Sequence, residues 1–165
     1  MISKGEALRK LINAPEITVE PGVFNGFSAR LVEKLGFKSV VITGSGVSEN
    51  ALGWADMGVM GLDDNVRVSR AIAECTNLLI IGDGDTGYGN PVNVFFTVRA
   101  FEGAGLAGLM LEDQIWPKRC GHMAGKQLIT AEEMVEKIKA GCEAKRDPAF
   151  VLKARTDAAG PLGIA

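Results

Sequence analysis

Apolar residues in this chain occur in two alternating patterns: short unbroken aliphatic runs, and longer stretches where they recur every three or four positions. The runs are Ile17–Val19, Ser39–Thr43, Leu78–Ile81, Gly108–Leu111 and Phe150–Ala154, and each predicts a buried strand. Pro21-Gly22 reads as the stop of the first. Between the runs the period is helical. A short helix is expected over 3–13, and another over Asn25–Leu35, with Leu31 and Leu35 on one face and Gly36 as its stop. A third covers about 62–76, with Val68, Ile72 and Cys75 along one side. Asn90-Pro91 pairs an N-cap with a proline at the first helical position, ahead of Val94, Val98 and Phe101. Thr130-Ala131-Glu132-Glu133 is a capping box that opens a helix running to about residue 145. Cys75 and Cys142 lie in helix patterns and read as core. A loop-rich insertion with Trp54 and Asp56 follows the second strand, and a long polar stretch covers 114–129.

Strand and helix therefore alternate, with room for a crossover helix each time, which implies a parallel α/β sheet. The polar clusters all follow strands: Thr43-Gly44-Ser45, Asp83 with Asp85, Glu112 and Arg155. Chemistry at the C-terminal ends of parallel strands suits both open doubly wound sheets and β/α barrels. Five strands with inward polar tips favour a (β/α)8 barrel of the TIM type. Such a barrel needs about 200 residues or more, and this chain has 165. The expectation is one partial barrel domain over residues 1–165, about five β/α units, ending where a sixth helix should start. Unpaired strand edges would then be an aggregation liability.

A hydrophobic content of 47% with a net charge of −2 describes a soluble globular protein without a nucleic-acid or anionic-membrane surface. No apolar run approaches a membrane span and no signal-peptide pattern opens the chain, so a cytoplasmic location is expected. Three sparse cysteines, Cys75, Cys120 and Cys142, fit a reducing compartment. Cys120 and His122 are too close for the usual zinc spacing.

Candidate chemistry centres on Gly82-Asp83-Gly84-Asp85-Thr86-Gly87-Tyr88-Gly89-Asn90. Gly82, Gly84 and Gly87 match the dinucleotide fingerprint, but two carboxylates lie where a pyrophosphate would sit. An EF-hand loop fails because Gly87 and Val94 fall at ligand positions. Aspartates capping an ordinary turn are the bland alternative. Asp83 and Asp85, two apart, project from one face while strand geometry lasts. Converging carboxylates repel and resist desolvation unless something positive lies between them. The simplest candidate is a hard divalent cation.

Together with Leu111-Glu112-Asp113-Gln114 and Pro117-Lys118-Arg119-Cys120-Gly121-His122, that segment resembles the isocitrate lyase/phosphoenolpyruvate mutase superfamily. The Lys-Arg-Cys-Gly-His pentapeptide is similar to the signature of its methylisocitrate lyase and 2,3-dimethylmalate lyase branch. The resemblance implies a (β/α)8 barrel, usually in homotetramers that exchange their last helices. It implies Mg²⁺ (or Mn²⁺) held by Asp83 and Asp85, largely through water, with Glu112 and Asp56 completing the acidic shell. Thr43, Gly44 and Ser45, with Gly121, would bind substrate, and Arg155 would pair with its carboxylate. Cys120 would be the acid/base on a mobile loop, with Lys118 supplying positive charge and His122 either transferring protons or orienting the loop.

Elementary chemistry agrees with these roles. Mg²⁺ keeps several waters and takes a few carboxylates, and a chelated 2-hydroxy acid has its hydroxyl acidified. Charge developing on cleavage needs fixed cations, and a thiol among Lys118, Arg119 and His122 can exchange protons near neutrality. The expected function is Mg²⁺-dependent carbon–carbon cleavage of a 2-hydroxy di- or tricarboxylate, giving an α-keto acid and a smaller carboxylate. Phosphoenolpyruvate or carboxyphosphonoenolpyruvate phosphonomutase and oxaloacetate decarboxylase are the alternatives inside the superfamily. An inactive fragment or assembly subunit is the alternative outside it.

Overall fold

Five strands, β1 (Gly22–Val23), β2 (Ser39–Ile42), β3 (Leu79–Asp83), β4 (Gly108–Glu112) and β5 (Val151–Arg155), pair in chain order and all in parallel. A doubly wound sheet reverses its strand order at a switch point. This sheet does not, so it has the sequence of neighbours of a (β/α)8 barrel, with five units present. The computed structural model describes residues 2–163.

The strand faces separate two apolar layers. Val40, Ile42, Ile80, Leu109 and Leu111 face the helices and share a core with Val68, Ile72, Val94, Val98 and Phe101. Val41, Leu79, Ile81 and Met110 face the other side, packing with Leu8 and Val151. Leu8 belongs to α1 (Lys4–Ile12), capped by Ser3. This helix crosses the N-terminal strand ends, where Arg9 donates to the carbonyls of Ala149 and Phe150. The opposite end of the sheet is left to the polar strand tips.

Between strands lie α2 (Gly26–Lys34), short α3 (Gly44–Val47), α4 (Leu62–Cys75), α5 (Pro91–Gly103) and α6 (Ala131–Ala144), and short α7 (Ala159–Leu162) follows β5. The Asn90 side chain accepts from the backbone of Val92 and Asn93, as the Asn-Pro start predicts. Thr130 accepts from Glu133, the first half of the expected capping box.

Four expectations need correction. The first strand is Gly22–Val23, not Ile17–Val19: Ile17 is 90% and Val19 57% exposed, whereas Val23 is fully buried. Pro21, read as a stop, precedes the strand, where its carbonyl accepts from Val41 and its missing N–H costs nothing. Leu31 and Leu35 point outward and Ala29 carries the buried face of α2. Cys142 is exposed rather than core, while Cys75 is half-buried. In the insertion, α3 and a π-helical turn over Ser48–Leu52 form where only loop was expected.

Candidate active site

Strand register brings the polar tips together. Glu112 and Arg155 are direct partners across β4 and β5, and paired residues of neighbouring parallel strands share a face. Arg155 Nη1 accordingly lies 3.2 Å from Glu112 Oε2. Val41 pairs with Ile81, which sets the end of β2 beside the end of β3. There the Gly44 N–H donates to Asp83 Oδ2 at 3.0 Å. A side chain at 44 would collide with that carboxylate, so the close approach requires glycine. Thr43 Oγ1 caps α3 and lies 3.0 Å from Ser45 Oγ.

A cavity of about 290 Å³ is lined by Thr43, Ser45, Asp56, Asp83, Lys118, Cys120, Gly121, His122 and Arg155. These come from three strand ends, the insertion and the 114–129 loop. Cys120 is a half-buried free thiol and His122 is exposed at the mouth. Gly121 packs so close to the Arg155 guanidinium that a Cβ would overlap it. Of the residues read from the sequence, Gly44, Asp85 and Glu112 lie behind the lining rather than in it.

Strand β3 ends at Asp83, and the chain turns at Asp85 into the left-handed region (φ 49°). The two aspartates therefore do not share a strand face. Asp85 is 2% exposed. Its Oδ1 lies 3.1 Å from Lys118 Nζ, and its Oδ2 accepts from Tyr88 Oη at 3.2 Å. Lys118 Nζ also bonds Asp56. The positive charge between Asp56 and Asp85 is thus an ammonium. Burial opposes that charge, but Asp85 and Asp56 outweigh it and hold the Lys118 ammonium above its usual range. Burial and the Asp83 carboxylate push Asp85 upward, against the pull of Lys118. Burial raises Glu112 from 4.5 to about 7, with Arg155 pulling the other way.

Four supporting residues carry no substrate or metal role in the sequence reading, which offers Asp157 only as an ion-pair partner of Arg155. Buried Asn65 of α4 donates to the Asp83 carbonyl at 2.8 Å and to Tyr88 Oη at 2.9 Å. Tyr88, burdened by burial and by Asp85, is held well above its usual pKa. Asp157 accepts from Arg155 Nε and Nη2 at 3.3 and 3.0 Å. Gln114 joins Glu112, Arg119 and Asp157. Tyr88 and Gln114 stand inside the quoted motifs; nothing in the pattern of α4 distinguishes Asn65.

The donors suit magnesium. All are carboxylate oxygens, and Asp83 and Asp56 line the cavity. Among the described residues no three His, Cys, Asp or Glu side chains form a tight metal cage. An ion here would be held by one or two carboxylates with water completing the shell. On the family resemblance, Asp83 and Asp85 would hold it, largely through water, with Glu112 and Asp56 completing the shell. Glu112 gives such binding a pH dependence. A carboxyl raised on folding adds stability below its usual 4.5 and loses it as pH rises through about 7. With chelator present, stability should fall across that window. Stabilisation by Mg²⁺ should grow across it, because the Glu112 proton competes with the cation. Thermal unfolding at about pH 5 and about pH 8, with and without Mg²⁺, checks this. Equal Mg²⁺ stabilisation at both values would count against it.

Comparison with known proteins places this geometry. The family model described as phosphoenolpyruvate phosphomutase matches residues 8–161. The chain is 43% identical over 157 residues to a 2,3-dimethylmalate lyase of Eubacterium barkeri, covering 95% of this chain and 54% of that one. It superposes on oxaloacetate acetylhydrolase bound to 3,3-difluorooxalacetate with a TM-score of 0.93 and 42% identity, over 98% of this chain and 56% of that one. Phosphonopyruvate hydrolase in complex with oxalate and Mg²⁺ gives 0.84 and 31%, over 95% and 53%. The chain spans about half the length of the curated relatives it matches. With the match running through β1 to β5 and every segment of the site, the chain belongs to the phosphoenolpyruvate mutase/isocitrate lyase superfamily.

Proposed function

We propose that this chain carries the catalytic half-site of a Mg²⁺-dependent lyase that splits a 2-hydroxy di- or tricarboxylate of the 2,3-dimethylmalate or methylisocitrate type. The observation that carries the proposal is the half-buried Cys120 thiol lining one cavity with Asp83, Thr43, Ser45 and Arg155. Bound there, Mg²⁺ would acidify the substrate hydroxyl and neutralise the developing charge. Thr43 and Ser45 hydroxyls and the Arg155 guanidinium bind and orient carboxylates. Lys118 adds fixed positive charge beside them. The hydroxyl proton leaves to solvent and its oxygen becomes the keto oxygen as the carbon–carbon bond breaks. The bond's electron pair stays on the carbon next to the departing carboxylate, and Cys120 delivers a proton to that carbon, its thiolate being reprotonated from solvent. His122, at the mouth, orients the loop.

Likeness to oxaloacetate acetylhydrolase supports a second reading, in which the same site cleaves oxaloacetate. Sequential strand order supports reading the chain as one partial barrel domain; its working as a homo-oligomer in the cytoplasm rests on the family resemblance alone. Among the described residues no helix is long and apolar enough to cross a membrane.

The test is turnover of 2,3-dimethylmalate, methylisocitrate and oxaloacetate with Mg²⁺ or Mn²⁺ and with chelator. The lyase reading expects cleavage of one of the first two, abolished by chelator and reduced about 10³-fold or more in Asp83→Asn. Consumption of oxaloacetate alone would establish the second reading. Mg²⁺ binding with no turnover of any substrate would favour an inactive fragment.

A further inference from the structure

We propose that Gln114 is a positioning residue that latches the Lys118–His122 loop over the catalytic cavity. The proposal rests on the lyase reading only in the role given to Cys120; the latch itself is geometry.

Gln114 follows β4 directly and is 1% exposed. Its Nε2, whose two hydrogens are shared among three acceptors, lies 2.9 Å from Glu112 Oε1, 2.9 Å from the Arg119 carbonyl and 3.0 Å from Asp157 Oδ2. Its Oε1 accepts from the Arg119 N–H at 3.1 Å. One amide thus grips both backbone groups of the residue before Cys120 and ties them to the tips of β4 and β5. The chemistry is selective. Arg119 needs a donor and an acceptor at once, which among side chains of this length only glutamine supplies without charge. Glutamate would set a third carboxylate against Glu112 and Asp157, and lysine would leave the Arg119 N–H without its acceptor.

The rest of the loop is tied to the same point. Lys126 Nζ donates to the Gly121 carbonyl at 2.7 Å and lies 3.7 Å from Asp157 Oδ1. The Ile115 N–H donates to the Gln127 carbonyl, and Gln114 bridges Leu128, closing the neck. Asp157 also accepts from Arg155, so the carboxylate that receives the latch orients the substrate-binding guanidinium. Loop closure and Arg155 orientation are therefore linked through Gln114 and Asp157.

Alkylation of Cys120 reads the latch without requiring turnover. In the full 165-residue chain, Gln114→Met should raise the rate of Cys120 modification by iodoacetamide at least about fivefold, because opening of the loop then limits the reaction less. Peptide mapping supplies internal references, since half-buried Cys75 and exposed Cys142 should keep their rates. If Gln114→Met does not fold, Gln114→Asn, one methylene shorter, should give a smaller rise of the same kind. A Cys120 rate within about twofold of the parent in whichever variant folds overturns the latch. So does a parallel rise at Cys75, which would mean general loosening. A failed lyase assay leaves this result standing, and an unchanged alkylation rate leaves the lyase reading standing.

Discussion

Lys118→Met is expected to destabilise the chain by about 3–5 kcal/mol near pH 8, the cost of removing one partner from a buried ion pair. Lys118, Asp56 and Asp85 side chains are only 6%, 8% and 3% exposed. Methionine keeps most of the stem's volume, so little of the loss would come from packing. What remains is two buried carboxylates without their shared cation, and such groups take up protons rather than stay charged. The loss should therefore shrink in acid, where Asp85, already raised by burial and by Asp83, becomes neutral. The Lys118 contribution itself has the opposite limit. Its ammonium is held above 10.5, so the stability it adds is full below that value and disappears only in strong base. Denaturant unfolding followed by circular dichroism at about pH 5.5 and about pH 8 separates these effects. A cost under about 1 kcal/mol at the higher pH, typical of an exposed pair, would show that the ammonium does not hold the acidic cluster together. Added Mg²⁺ should recover part of the loss, since a cation would again lie among the carboxylates.

Cys120→Ser should act on the chemistry and leave stability alone. A positioned general acid contributes about 10²–10⁴ in rate, and serine holds its proton too tightly to replace a thiol near neutrality. Turnover of the proposed lyase substrate should fall by that factor with KM little changed, because Arg155, Thr43 and Ser45 still bind the carboxylates. Unfolding should shift by no more than about 0.5 kcal/mol, as for a replacement outside the packed core. Steady-state kinetics beside a thermal melt provides both numbers. Full turnover in Cys120→Ser would remove the thiol from the mechanism and leave the second reading to explain the site.

Much of this was legible in the residues. The spacing of aliphatic runs with helical stretches between them predicted a parallel sheet, because a buried strand must be apolar on both faces while a surface helix need be so on one. Polar residues just past those runs, Thr43, Ser45, Asp83 and Arg155, gather at one end of the sheet, and Asp56, Lys118, Cys120, Gly121 and His122, read from the family resemblance, line the same cavity. Ile17–Val19 failed as a strand for a simple reason: local β preference says nothing about which segment finds a neighbour, and Gly22–Val23 is the segment in register with β2.

What only the tertiary structure decided is how charge is balanced. Strand alternation alone puts Asp83 and Asp85 on one face, where they need a cation between them. The chain instead turns at Asp85 and points it at Lys118, thirty-three positions away, which also bonds Asp56. Likewise Glu112 meets Arg155 through strand register, and Gln114 joins the loop to Asp157 across the mouth of the sheet. Local pattern determines which segments are strands, helices and polar tips, since each depends on neighbours within a few residues. Pairings between distant charges depend on register and loop closure, which exist only once the chain has folded.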